Sequence, residues 1–168
     1  DITVGWRQTE LGGRSSTSEN KTDRFMLDWQ GSYKGWDYSV AALTSNSDVT
    51  NDFVGGYVNE GGVRAGLAGT GGTPWLNPFG TQTPDGLAYL TSQQILGQVQ
   101  RAEGKLWGIK AQASGEIYKL PDGPMALALA VEYYDDSVDY TNNFSLIRQA
   151  ASSGLDLAED ASGSRHWV

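Results

Sequence analysis

The chain contains no cysteine, which excludes disulfide bridges, thiol chemistry and cysteine-ligated zinc. No apolar run approaches the ~18 residues that a membrane-spanning helix needs, so we expect no helical transmembrane segment. Positive charge is scarce, since 12 Lys and Arg stand against 20 Asp and Glu, a net charge of -8. Nucleic-acid binders neutralise phosphates with clustered Lys and Arg, so nucleic acid is not an expected partner. The one histidine, His166, provides no basis for a histidine triad or metal cluster.

Glycine and aromatic residues are abundant instead. The chain has 22 glycines, and 11% of its residues are aromatic. Many aromatic residues combined with many turn-forming glycines favour β-strands joined by loops. Six tryptophans and eight tyrosines also carry more apolar surface than a disordered chain does. The length of 168 residues suits one domain or a piece of a larger protein.

Apolar and polar residues alternate with a period of two in five stretches, and a sixth begins near the end of the chain. Such alternation predicts β-strands with one apolar and one polar face, hence an all-β antiparallel meander. The stretches are ITVGWRQ (2–8), DRFMLDWQ (23–30), WDYSVAAL (36–43), KLWGIKAQASGEIY (105–118), MALALAVEYY (125–134) and SRHWV (164–168).

The connections between these stretches alternate between short and long. GSYKG (31–35) and PDGP (121–124) are short, whereas 10–22, 45–103 and 137–162 are long and polar. Successive connections of a meander lie at opposite ends, so short turns share one rim and long loops the other. Bacterial outer-membrane barrels have this asymmetry. The pattern therefore predicts part of a transmembrane β-barrel with short periplasmic turns and long extracellular loops.

The two faces of the predicted strands differ in charge. The apolar faces carry no charged residue, and their aromatic residues are predicted to form two lipid-facing girdles: Trp6, Phe25, Trp29, Trp36, Tyr38, Trp107 and Tyr133. The polar residues predicted to face the lumen are Arg24, Asp28, Asp37, Lys110, Glu116 and Glu132. A soluble β-sandwich also alternates in this way, so the alternation by itself does not separate the two folds.

The stretch GEIYKLPDGPMALALAVEYY (115–134) resembles a hairpin common in TonB-dependent outer-membrane receptors. In that family a Gly-Glu strand leads to an LP-x-Gly-Pro periplasmic turn and returns as an alternating strand ending in Glu-Tyr. The matching positions are Gly115, Glu116, Leu120, Pro121, Gly123, Pro124, Glu132 and Tyr133. Residues 22–43 are similar to a preceding hairpin, LNPFG (76–80) to a piece of the long loop between, and Gly163–Arg165 to the start of the next strand. Tyr134 departs from the pattern, because the family more often has Arg there.

The resemblance implies that residues 1–168 are a barrel segment of about five to six strands without a plug domain. It also implies a bacterial outer-membrane receptor, not an enzyme, for energised uptake of a siderophore, cobalamin, oligosaccharide or peptide. The implied partners are the remaining barrel and plug, the TonB complex, outer-membrane lipid and the nutrient, and no cofactor is implied. A passive porin and a soluble secreted β-sandwich that binds carbohydrate remain alternatives.

Candidate site residues fall into three groups. The first group lies in the longest loop and is predicted to contact a ligand by stacking or hydrogen bonding: Tyr57, Arg64, Trp75 and Asn77. The stretch GLAGTGGTPW (66–75) of this loop is expected to be flexible. Glu116 and Glu132 suit a lumenal ion-pair network with Lys110 or Arg24, contact with plug or substrate, or a glycosidase carboxylate pair. The third group consists of acidic residues near the end of the chain, which are predicted to form a solvated loop and not a cation site. They are Asp135, Asp136, Asp139, Asp156, Glu159 and Asp160.

Overall fold

The structure is a computed structural model that describes residues 6–150 and 160–167. Its eight elements are β1 (Ser15–Tyr33), β2 (Trp36–Gly55), α1 (Glu60–Ala68), α2 (Pro84–Ser92), β3 (Gly97–Leu120), β4 (Gly123–Asn142), α3 (Phe144–Gln149) and β5 (Ala161–Trp167). The strands form one mostly antiparallel sheet in the order β1-β2-β3-β4-β5. The prediction of an all-β antiparallel meander is therefore confirmed. The sheet is open between β1 and β5.

Two tight turns close the hairpins. Lys34 and Gly35 join β1 to β2 with φ angles of 51° and 81°, the positive pair that a type I′ turn requires. Pro121 and Asp122 join β3 to β4, and Gly123 follows at a φ of 142°, which a side chain would disfavour. Both turns fall within the short connections expected from the sequence.

Side-chain contacts between neighbouring strands define two faces of the sheet. On the first, which we call the apolar face, Trp29 contacts Tyr38, Trp36 lies over Gly115, and Trp107 contacts Tyr133. Successive side chains of a strand point to opposite faces. The other face, which we call the polar face, therefore carries the intervening residues, among them Asp37, Lys110 and Glu132.

The described chain divides into two compact units. Among the described residues, the loop unit comprises 6–19, 50–101 and 141–150, and the sheet unit comprises 20–49, 102–140 and 160–167. The long strands β1 to β4 contribute residues to both units.

The buried core lies in the loop unit and consists of two clusters. One contains Phe53, Ile95, Val99, Ile147 and Ala150, with Tyr57 and Leu146 packed against it. The other contains Val58, Leu76 and Leu90, with Trp6, Leu11, Val63, Leu67 and Tyr89 around it.

No helix among the described residues combines the length and the apolar character needed to cross a membrane.

Three expectations about elements need correction. The first predicted strand is absent over Trp6–Gln8, and its remaining residues lie outside those described. The connection predicted over 45–103 shrinks to 56–96 and holds α1 and α2, because β2 and β3 continue through polar sequence. Residues 66–68 are the last turn of α1, so the stretch 66–75 is partly helical.

Candidate functional site

A stretch of the loop unit presents aromatic rings and carries no charge. We call residues 70–83, between α1 and α2, the uncharged loop. No charged residue occurs between Arg64 and Asp85 in the sequence. Within the uncharged loop Trp75 is 71% exposed and Phe79 is 88% exposed. Exposed rings on an ordered loop are candidates for ligand contact.

The helix α1 and its caps fix the start of the uncharged loop. The Asn59 side chain accepts a hydrogen bond from the Gly62 N–H, which caps the first turn. Gly69 ends the helix in a left-handed conformation, with a φ of 61°. The Thr73 hydroxyl then donates to the carbonyl oxygens of Ala65 and Thr70 at 3.1 and 2.8 Å.

Leu76 anchors the middle of the uncharged loop. Its side chain is 3% exposed and packs in the cluster with Val58 and Leu90. Its N–H donates to the Gly66 carbonyl at 3.0 Å. The neighbouring Trp75 ring lies directly over Gly69, where a β-carbon would overlap it. A glycine is therefore required at position 69 both for its positive φ and for the close approach of the ring.

A hydrogen-bond network holds the second half of the uncharged loop. The Gln82 side chain accepts from the Asn77 N–H at 2.9 Å and donates to the Asn77 carbonyl at 2.7 Å. It also donates to the Glu10 carboxylate at 3.2 Å. The Asn77 side chain accepts from the Phe79 N–H at 3.0 Å. Asn77 thus shapes the turn that carries Phe79.

Glu10 ties this network to the preceding segment of the chain. Its carboxylate accepts from the Thr9 N–H at 2.9 Å. Burial raises the pKa of Glu10, but the hydrogen bonds from its own N–H, from Gln82 and from Thr9 outweigh this and lower the pKa overall. Glu10 is therefore a carboxylate at neutral pH.

A cleft of about 750 Å³ opens beside the uncharged loop. Its charged and polar walls include Arg7, Glu10, Thr9, Thr81 and Gln82, and its apolar walls include Trp6, Pro78 and Leu87. Apolar walls combined with a few fixed polar groups are typical of small-molecule sites.

The four residues predicted to bind a ligand do not form one site. Trp75 and Asn77 share the uncharged loop. Tyr57 instead stacks on Phe53 with ring centroids 3.7 Å apart and packs against the core, and Arg14 lies over its ring. Arg64 lies on α1 and forms an ion pair with Glu60 one turn earlier.

Comparisons with protein-family models, curated proteins and solved structures found no match.

On the polar face the two candidate carboxylates are far apart. Lys110 forms an ion pair with Glu132 across β3 and β4 at 2.8 Å. Glu116 lies six residues beyond Lys110 on β3, which places it on the order of 20 Å away along the strand. A glycosidase needs its carboxyl groups within about 5–10 Å, so Glu116 and Glu132 do not form such a pair.

The remaining residues predicted to face the lumen lie on β1 and β2. Arg24 and Asp28 are exposed on β1, and Asp37 accepts a hydrogen bond from the Ser32 hydroxyl next to the turn. In the part of the chain that the structure describes, no group of three His, Cys, Asp or Glu side chains is arranged to hold a metal ion.

The aromatic residues predicted to face lipid lie on the sheet, with one exception. Trp29 and Tyr38 have ring centroids 5.2 Å apart, and those of Trp107 and Tyr133 are 5.3 Å apart. Phe25 is 66% exposed on β1. The prediction for Trp6 is wrong, since Trp6 lies outside any strand and packs on the cluster around Leu76 and Leu90.

The prediction of an acidic loop is also wrong for Asp135, Asp136 and Asp139, which belong to β4 and pair with β5. Asp136 forms an ion pair with Arg165 at 3.1 Å, and Asp135 contacts the His166 ring nitrogen Nδ1. Asp160 precedes β5, whereas Asp156 and Glu159 lie outside the described residues.

Sequence reasoning missed Glu10, Gln82 and the cleft. Glu10 and Gln82 are 72 residues apart, and neither lies in a motif or a periodic pattern. The uncharged run from 65 to 84 was the available signal, because it is unusual in a chain with 19% charged residues.

Proposed function

We propose that this chain is part of the barrel of a TonB-dependent outer-membrane receptor that mediates energised uptake of a scarce nutrient. One observation carries the proposal. The sheet unit exposes the large side chains of its apolar face, including Phe25, Leu27, Trp29, Leu129 and Val131, each more than half exposed. Contiguous exposed apolar surface of this kind belongs against lipid or against another protein surface.

The character of the polar face favours lipid, and not a second protein layer, as the surroundings of the apolar face. The polar face carries the Lys110–Glu132 ion pair and the exposed side chains of Arg24, Asp28 and Glu116. An apolar exterior backed by a polar interior is the arrangement of a transmembrane barrel wall. In this proposal the aromatic pairs Trp29–Tyr38 and Trp107–Tyr133 would belong to the girdles at the membrane interfaces.

The soluble alternative lacks a comparable support. A β-sandwich covers the apolar face of one sheet with a second sheet about 10 Å away. Residues 6–150 and 160–167 contain one five-stranded sheet, and no second sheet occurs among them.

The hairpin β3–β4 supports the choice of family within outer-membrane proteins. Its turn falls at Pro121 and Asp122, the LP-x-Gly-Pro position of the receptors it resembles. A passive porin would share the barrel wall but not this hairpin sequence. Coupling to TonB would belong to the intact receptor with its plug.

The test is where the native gene product resides and whether transport needs TonB. We expect a species heavier than 18.1 kDa that leaves the outer membrane only with detergent. Deletion of TonB in the host should abolish accumulation of the nutrient. A detergent-independent, soluble 18.1 kDa species would refute the membrane proposal. Unchanged uptake without TonB would leave a porin.

A further inference from the structure

We propose that the uncharged loop binds an uncharged carbohydrate, with Trp75 and Phe79 as stacking surfaces. This inference rests on the proposed function, because it names the class of nutrient that the receptor would take up. It depends on three properties of the uncharged loop: its lack of charged residues, the packed position of the Trp75 ring, and its hydroxyl and amide groups.

The absence of charge selects against ionic ligands. Residues 65–84 contain no Asp, Glu, Lys or Arg. A binding surface for an anionic chelate or an acidic peptide offers opposite charge, because a charged group that leaves water needs an ionic partner. An uncharged ligand has no such requirement. The surface that holds Trp75 and Phe79 is therefore suited to a neutral one.

The Trp75 ring and the backbone that carries Phe79 are held in place before any ligand arrives. Trp75 lies against Gly69 beside the buried Leu76, and Phe79 sits in the turn that Asn77 and Gln82 stabilise. A packed ring and an already hydrogen-bonded loop lose less conformational entropy on ligand binding than mobile ones would. Sugar rings present C–H groups on one side and hydroxyl groups at the edge, so they suit an aromatic ring surrounded by polar side chains.

The polar groups of the uncharged loop favour a sugar over a lipid chain. The uncharged loop contains hydroxyl or amide groups at Thr70, Thr73, Asn77, Thr81, Gln82 and Thr83. A hydroxyl has one donor and two acceptor positions, so even a threonine that already makes one bond retains capacity for another. Acyl chains would remove the remaining hydrogen-bonding capacity of these groups from water without replacing it, which is unfavourable. The cleft at Thr81 and Gln82, which Arg7 and Glu10 also line, provides room for a neighbouring sugar unit, whose hydroxyl groups can donate to a carboxylate and accept from a guanidinium.

The experiment is calorimetric titration of the intact protein in detergent. The probes are neutral hexasaccharides of glucose, xylose, mannose and N-acetylglucosamine, each at up to about 10 mM, with hexagalacturonate and ferric citrate as charged probes. We expect at least one neutral probe to bind. Trp75→Ala should weaken that binding about tenfold or more, and Phe79→Ala should weaken it in the same direction.

A matched control is Leu96→Ala, which removes an apolar side chain of the loop unit that is 53% exposed and lies outside the uncharged loop. The Leu96→Ala variant should bind the neutral probe with the same affinity as the unaltered protein. The inference is overturned if no neutral probe binds, if only a charged probe binds, or if Trp75→Ala and Leu96→Ala have equal effects. If the protein is found in the outer membrane and uptake depends on TonB, but no neutral probe binds, the carbohydrate inference is refuted and the receptor proposal stands. Binding by a soluble species that depends on Trp75 would refute only the proposed transport.

Discussion

Three glycines of the sheet unit lie beneath aromatic rings of the adjacent strand. Tyr38 covers Gly31, Trp36 covers Gly115 and Tyr134 covers Gly108, and in each case a β-carbon on the glycine would overlap the ring. Aromatic coverage of a strand glycine protects the backbone there and helps to set the register of the pair. Two of these rings, Tyr38 and Trp36, belong to the proposed girdle, whereas Tyr134 lies on the polar face.

Substitution of Gly108 tests this role. Gly108→Ala should lower the free energy of unfolding by about 1–3 kcal/mol, because the Tyr134 ring or the strand must move. Urea unfolding of the intact protein in detergent, followed by tryptophan fluorescence, measures the change. Gly163→Ala is the control, since a β-carbon on that strand glycine would meet no atom within 4 Å. Equal losses for the two variants would contradict the explanation.

Glu10 gives the loop unit a dependence on pH. Its pKa in the folded protein lies below the ordinary value of 4.5, so its contribution to stability is present above that value and is lost as the pH falls through the folded pKa. When the pH is lowered, the free energy of unfolding should fall further in the unaltered protein than in Glu10→Gln. The difference should stay below about 1 kcal/mol, since solvent screens the carboxylate. Urea titrations between pH 7 and about pH 3 measure the difference. Gln82→Ala should flatten the same pH profile, and identical profiles for all three proteins would refute the assignment.

At the scale of elements, α1 forms in a sequence with poor intrinsic helix propensity. EGGVRAGLA contains Gly61, Gly62 and Gly66, and a glycine inside a helix costs about 1 kcal/mol relative to alanine. The helix is stabilised by its cap at Asn59 and by packing of Val63 and Leu67 on the buried cluster. Gly66 also admits the side chains of Leu76 and Tyr89. These contacts join distant residues, which explains why the sequence predicted a loop.

Removal of the cap should release α1. Asn59→Ala deletes the acceptor for the Gly62 N–H and the 3.1 Å hydrogen bond to Gln149, so it should cost about 0.5–2 kcal/mol. Hydrogen–deuterium exchange should then be faster across Glu60–Ala68 than in the unaltered protein. Asn59→Asp keeps the acceptor and should stay close to the original rate. If Asp and Ala accelerate exchange equally, the cap does not hold the helix.

The strands were predictable only where one face is apolar. Phe25, Leu27 and Trp29 give β1 a clear alternation, and both hairpin turns carry turn-forming residues. β2 continues to Gly55 through TSNSDVTND, where both faces are polar and hydropathy gives no signal. There the strand persists because its backbone is hydrogen-bonded to its neighbours. Of the candidate site, Trp75 and Asn77 could be found from composition, but the partnership of Glu10 with Gln82 depends on the fold.

At the scale of the whole molecule, apolar residues serve two separate purposes. Those of the loop unit, such as Leu90 and Val99, are fully buried and form its core. Those of the sheet unit, such as Leu129 and Val131, are exposed although they alternate as regularly as core residues would. This difference cannot be read from hydropathy, because an alternating strand looks alike whether its apolar face meets protein or lipid.

A pair of adjacent substitutions on β4 separates lipid from water as the surroundings of the apolar face. Leu129 is 59% exposed on that face, and the exposed Ala130 is its neighbour on the polar face. If lipid covers the apolar face, Leu129→Arg should cost about 2–4 kcal/mol near the bilayer midplane, whereas Ala130→Arg should cost little in a polar interior. The amount of folded protein recovered from outer membranes, followed by urea unfolding in detergent, measures both effects. In water an arginine at position 129 would be as well tolerated as one at 130, since both positions would be solvated. A loss of folded protein confined to Leu129→Arg would therefore identify the apolar face as the lipid-facing wall. Equal recovery of the two variants would mean that lipid does not cover that face, which would remove the main support of the barrel proposal.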